Sequence, residues 1–395
     1  MKLKSYIATF CAAFALFLIM MLQYQFVYLR YYYEFAFQAI KWHLSSKCPR
    51  PTSTASIFTK AENIPLANWN DLIEHQLQKI PDRWVIFKPP VTLGLCNRIL
   101  NSISALMLAM ATNRTLWLEW EQQEGLLITS NEFAGMSSYD NLFNSQLHDY
   151  RFRPPSNLIE NATEVLDCIF EKMLFIPDLN QVYNQRAIRI DTGEWWGSLL
   201  FHNPAYASTV FKGLKPMDGF PLLFRALFTL HPPLVEPEPC SWMIQYRVIW
   251  PPPRYTAPIE TFLACAKEKG MTPADYSTTW IVTDDPAAML EQASPEAARV
   301  LAAMNIPKER TCRGPCGDRQ AMETMHRLSL CPNAVLTLGS SFGSCIASLA
   351  NAPRQFRVSH LGECLPLDVS NGPLDINSYS RHGNLATYLA NQISG

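Results

Sequence analysis

Trp84-Val85-Ile86-Phe87, a loop with Pro89, Pro90, Gly94 and Cys96, apolar residues at Ile99, Leu100, Ile103, Leu106, Met107 and Met110, and then Thr115-Leu116-Trp117-Leu118-Glu119 decide the fold class. The outer pieces are short, apolar and β-rich. Between them apolar residues recur three and four apart, the spacing of one helix face, and Asn113 ends that helix. Strand, loop, helix, strand is the building block of an open α/β sheet.

Further along the chain the pattern starts again. A proline-rich run, Pro232, Pro233, Pro237 and Pro239, can continue neither a helix nor a central strand and reads as a linker. Beyond it the sequence predicts a strand from Trp242 to Val248, a helix from Ile259 to Lys269 and a strand from Thr278 to Val282 leading into Asp284-Asp285-Pro286. Helical patterns follow at Ala287 to Gln292, Pro295 to Met304 and Gln320 to Leu330. A strand at Ala334 to Thr337 and a helix from Phe342 to Ala350, introduced by Leu338-Gly339-Ser340-Ser341, complete the second half. The expectation is an α/β protein with two Rossmann-like domains facing a cleft, residues 83–235 and 236–395.

Ahead of these domains, Ser5 to Leu29 holds no charged residue and is long enough to span a bilayer, which needs about 20 residues. Lys2 and Lys4 lie before it; Arg30 and the aromatic Tyr31, Tyr32 and Tyr33 lie after it, suited to the headgroup region. The expected order is a cytosolic tail (1–4), a transmembrane signal anchor (5–29) and a polar stem (30–82), with the rest across the membrane. The small-x-small triplet Ala13-Phe14-Ala15 offers a cleaved signal peptide instead, but it sits inside the apolar run rather than after it. Ten cysteines beyond the anchor suit an oxidising compartment, with Cys312 and Cys316 close enough for a local disulfide. Asn161-Ala162-Thr163 is an open glycosylation sequon, whereas Asn113-Arg114-Thr115 falls between a helix and a strand.

The 395 residues carry 33 Lys+Arg against 34 Asp+Glu, a net charge of -1, so no basic field exists to hold nucleic acid. A hydrophobic fraction of 48% excludes disorder over most of the chain, and no repeat period appears.

In sheets of this kind ligands bind beyond the carboxyl ends of the strands. Those positions are Gly94 to Arg98, Arg247, Asp284 with Asp285, and Gly339 to Gly343. Arg247 follows an apolar strand, where a guanidinium can clamp a diphosphate or serve a surface salt bridge. Ser340, Ser341, Phe342 and Gly343 open a helix, whose free amides attract phosphate; a serine there also caps the helix. Asp284 can accept two N–H donors from a guanine edge, and either Asp284 or Asp285 can cap the helix that follows. A metal role for this pair ranks low, because adjacent carboxylates point apart. Glu119, Glu124, Asp191, Glu194 and His202 are acidic or basic candidates in the first half, none assigned as base, and Trp195-Trp196 is a candidate sugar-stacking surface.

These residues resemble the GDP-fucose-dependent fucosyltransferase superfamily of GT-B fold, plant xyloglucan-type α-1,2-fucosyltransferases above all, from about Trp84 to Val358. Gly94-Leu95-Cys96-Asn97-Arg98 and its helix look like the family's Gly-x-Gly-Asn-Arg element, with Cys96 in place of the second glycine. Ile244-Gln245-Tyr246-Arg247-Val248 is similar to its Ile-Gln-x-Arg strand, Val282-Thr283-Asp284 to an Ala-Thr-Asp segment, and Ser341-Phe342-Gly343 to a Ser-Thr-Phe-Gly element. The resemblance implies a Golgi type II membrane enzyme, lumenal beyond its anchor, that moves L-fucose from GDP-fucose to a cell-wall or glycoprotein glycan with inversion, needing neither cofactor nor metal. It implies that Arg247 is catalytic, neutralising the β-phosphate of the leaving GDP. Asp284 would read guanine, Ser340 to Gly343 would hold the diphosphate, and Gly94, Asn97 and Arg98 would approach the donor from the first domain. The alternatives are another nucleotide sugar, a protein acceptor, or a noncatalytic lumenal binding protein, to which Cys96 points.

Overall fold

Val85 and Phe87 turn to one side of their strand and Trp84 and Ile86 to the other, and both sides are buried, as in a parallel sheet covered on both faces. The computed structural model describes residues 82–89, 94–121, 138–144, 153–164, 178–190, 197, 200, 203–207, 210–211, 222–224, 226–230, 238–248, 257–307, 315–328, 330–338, 340–349, 354–359 and 362–366. The chain divides into two units, Met1–Pro49 and Arg50–Gly395, and every described residue belongs to the second. The expected tail, anchor and stem up to residue 81 lie outside the described residues. Among those described, no helix is long and apolar enough to cross a membrane.

Through the first half run β1 (Trp84–Phe87), α1 (Leu95–Ala111), β2 (Thr115–Leu118), β3 (Phe143–Asn144), β4 (Thr163–Glu164), β5 (Ala187–Ile190) and β6 (Thr229–Leu230). Four of these strands form a parallel sheet in the order β2-β1-β5-β4, while β3 and β6 pair as an antiparallel ribbon. Arg114 is fully buried and donates to the carbonyls of Gln185 and Tyr183, tying the start of β2 to the approach to β5. Burial, helped by the nearby charge of Arg83, lowers its pKa to about 10.

The second half contains β7 (Trp242–Tyr246), α2 (Ile259–Glu268), β8 (Thr279–Thr283), α3 (Pro286–Gln292), α4 (Pro295–Leu301), α5 (Pro315–Arg327), β9 (Asn333–Thr337), α6 (Ser341–Leu349), β10 (Arg354–Val358) and β11 (Cys364–Pro366). Its sheet runs β11-β10-β9-β7-β8, parallel except for β11. Local chemistry fixes the helix starts. Asp285 accepts from the Ala288 amide at 2.9 Å with Pro286 in the first turn, and Ser294 accepts from Ala297 at 3.2 Å with Pro295 following it.

Alternation along β7 sends Met243 to a large core that includes α1, α5 and α6, and sends Trp242, Ile244 and Tyr246 to a second core with α2 and α4. Helix α1 is buried on nearly every side, because it covers β1 and β2 and also packs against α6. Cys240–Cys331 and Cys265–Cys364 are disulfides, whereas Cys96 and Cys345 are buried, unbridged thiols. Cys312, and with it the expected local pairing to Cys316, lies outside the described residues. Helix α1 starts at Leu95, so Cys96 sits inside the helix rather than in the loop before it.

Candidate active site

Three neighbouring strands, β9, β7 and β8, end side by side at the carboxyl edge of the second sheet, and Arg247 is the first residue beyond the middle one. On one flank stands Asp284, the first residue beyond β8: its Oδ2 lies 3.0 Å from Arg247 Nε and its Oδ1 accepts the Val248 amide at 2.7 Å. On the other flank, Thr337 at the end of β9 accepts the Arg247 amide on Oγ1 at 3.1 Å and donates its hydroxyl to the Gln245 carbonyl at 3.0 Å. The Arg247 side chain is 40% exposed and that of Asp284 15%. Beside them the Tyr246 hydroxyl has its pKa raised, first by burial and then by the charges of Glu260 and Asp284.

The start of α6 is tied to the same edge. The Ser340 amide donates to the Thr337 carbonyl at 3.1 Å, and Ser340 Oγ accepts the Gly343 amide at 3.3 Å, so Ser340 is the helix cap. Ser341 and Phe342 are half-buried, and Phe342 packs on the large core. A Cβ on Gly343 would stand 2.8 Å from Gln245 Oε1, the atom that accepts the Thr337 amide at 3.3 Å. A side chain at 343 would therefore push the Gln245 amide from its place against Thr337.

The first-half candidates separate. Gly94 is exposed at the N-cap of α1, with φ −60°, and a Cβ there would meet nothing within 4 Å. Asn97 is half-buried in the first turn, its carbonyl accepting from the Asn101 side chain at 2.8 Å. Arg98 is 3% exposed; it binds Asp318 of α5 at 2.7 Å and lies over the Trp120 ring at 5.3 Å. The Cys96 thiol turns inward, 3.6 Å from Met325 Sδ, and its carbonyl accepts from the Cys345 thiol of α6 at 3.8 Å. Burial, reinforced by Cys96, pushes the Cys345 thiol well above its ordinary pKa, so it stays protonated and unreactive at neutral pH.

Among the other candidates, Glu119 is tied to Arg189 at 2.9 Å and Lys88 at 3.4 Å. Asp285 caps α3. Gly339, Glu124, Asp191, Glu194, Trp195, Trp196 and His202 lie outside the described residues. Asn161 is exposed, its amide donating to the Asn157 carbonyl at 2.7 Å, while Asn113 occupies a left-handed turn at φ 53°. Among the described residues no three His, Cys, Asp or Glu side chains cluster as metal ligands. Sequence reading gave no role in the site to Gln245 or Thr337, although Gln245 stands in the strand motif that leads to Arg247 and Thr337 ends a predicted strand.

No protein-family model matches the chain, and no curated protein matches its sequence. Solved structures do match. An arginine-to-lysine variant of Arabidopsis thaliana FUT1, in complex with GDP, superposes with a TM-score of 0.50 at 15% identity, covering 76% of this chain and 78% of that one. The chain shares the fold of that protein. The Bradyrhizobium fucosyltransferase NodZ matches at 16% identity over 73% of this chain and 99% of its own, with a TM-score of 0.36.

Proposed function

We propose that the chain is a fucosyltransferase that moves L-fucose from GDP-fucose to a glycan, inverting the anomeric centre and using no metal. The observation that carries this reading is Arg247, held at the carboxyl end of β7 between β9 and β8 on a fold shared with a protein solved in complex with GDP. The resemblance of the loop, strand and helix motifs to GDP-fucose enzymes supports the same donor. In the transfer an acceptor oxygen bonds the anomeric carbon while that carbon's bond to the β-phosphate oxygen breaks, and the hydroxyl proton passes to water or to the departing diphosphate. Charge grows on the departing diphosphate, and a fixed guanidinium beside the α6 amides supplies the opposite charge without a cation. Gly94 and Asn97 would meet the donor from the first half. The thiol of Cys96 is packed on Met325 and 3% exposed, turned away from the open space at Gly94, which weakens the binding-protein alternative.

The setting that fits is a Golgi membrane, with the anchor at 5–29, a lumenal catalytic part, a glycan at Asn161, and a cell-wall or glycoprotein glycan as acceptor. The test is transfer of labelled fucose from GDP-fucose to a panel of such glycans by the full-length chain in detergent. Transfer should persist in excess chelator and give the α-linked product. Consumption of UDP- or CMP-sugars but not GDP-fucose would overturn the donor assignment.

A further inference from the structure

The arginine at the sheet edge is held from two sides, by Thr337 and by Asp284, residues that need not touch a substrate. Thr337 Oγ1 bridges the Gln245 carbonyl and the Arg247 amide across the last residue of β7, at 3.0 and 3.1 Å, where the side chain takes over the role of a backbone ladder. The backbone of β9 itself turns to β10 at this level, the Leu338 amide donating to the Val358 carbonyl at 3.1 Å. Thr337 is in turn fixed by Gln245 Oε1 at 3.3 Å, and Gln245 is 2% exposed. From the β8 side, Asp284 Oδ1 accepts the Val248 amide at 2.7 Å while Oδ2 forms an ion pair with Arg247 Nε at 3.0 Å. With one oxygen on the backbone and one on the guanidinium, the carboxylate couples the side-chain direction of Arg247 to the path of its chain.

Resting on the fucosyl-transfer reading, we propose that Asp284 and Thr337 are positioning residues for Arg247, and that Asp284 acts on the diphosphate through the arginine rather than on the guanine base. A long arginine side chain at a cleft edge otherwise samples many rotamers, and a ligand must immobilise it on binding. Held by its amide and its Nε, it meets the departing diphosphate already oriented, so the gain falls where charge develops.

The experiment is steady-state kinetics of the full-length chain with GDP-fucose, plus inhibition by GDP and by inosine diphosphate, which lacks the guanine 2-amino group. Asp284→Asn keeps an acceptor for the Val248 amide but loses the charge on Nε, and it should lower kcat about 10–100-fold with KM within about threefold. Thr337→Val should act in the same direction, and Thr337→Ser, which keeps the hydroxyl, should recover to within about threefold of the parent chain. In an Arg247→Ala background, Asp284→Asn should have little further effect, a non-additivity that a purely structural role would not produce. Discrimination between GDP and inosine diphosphate should be unchanged in Asp284→Asn; its collapse would show that Asp284 reads guanine and would overturn the proposal. Normal kcat in both Asp284→Asn and Thr337→Val would overturn it while leaving fucosyl transfer intact. Failure of the parent chain to bind GDP or turn over GDP-fucose would overturn both together.

Discussion

Replacing Arg247 by alanine is expected to lower fucose transfer by about 10²–10³-fold while the protein remains folded, the loss typical of removing one fixed donor from developing negative charge. The fold should survive because the side chain is 40% exposed and its ion pair with Asp284 lies at the sheet edge. The Thr337 bond reaches the backbone amide, which alanine keeps. Arg247→Lys should recover little, since an ammonium offers neither the Nε contact nor a planar fork. Circular dichroism and melting temperature beside the transfer rate separate the two effects. An Arg247→Ala chain with near-normal turnover would remove Arg247 from the mechanism.

Arg98→Ala is expected to act on stability instead, costing about 3–5 kcal/mol, because it removes a charged partner at 2.7 Å from a carboxylate that stays inside the protein. Arg98 and Asp318 are 3% and 8% exposed and 2.7 Å apart, and they join α1 to α5 across 220 residues of sequence. The variant also loses the guanidinium contact over the Trp120 ring. A melting-temperature drop on the order of 10 °C should follow. Replacing both members, Arg98→Met with Asp318→Leu, should restore much of it, since a well-packed apolar pair often matches a buried ion pair. If instead Arg98→Ala melts like the parent chain and loses only GDP binding, Arg98 belongs to the donor site.

The strand-loop-helix-strand unit at β1, α1 and β2 was legible because its apolar spacing is strong, and β7, α2, β8 and β9 were found within a residue or two for the same reason. Strand β10 was missed: Arg-Gln-Phe-Arg-Val reads as polar, and only the fold shows that Gln355 and Arg357 are 3% and 4% exposed. Helix α5 starts five residues before the predicted Gln320, since its first turn, Pro315 to Asp318, carries helix-start residues but no apolar period. The site was half legible. Arg247, Asp284 and the α6 start stand at strand ends, which sequence can mark. The bonds that give them roles, Asp284 to Arg247, Thr337 to the Arg247 amide and Arg98 to Asp318, are contacts between distant residues that no local pattern encodes.

The most direct test of the donor assignment is a thermal-shift comparison of the full-length chain in detergent with GDP, UDP and CMP, run beside Arg247→Ala. A ligand at 100 times its dissociation constant stabilises by about 2.7 kcal/mol, which is readily seen. The account predicts a rise in melting temperature with GDP alone, and loss of that rise in the variant. Equal shifts with all three nucleotides, or none with GDP in a folded sample, would contradict it.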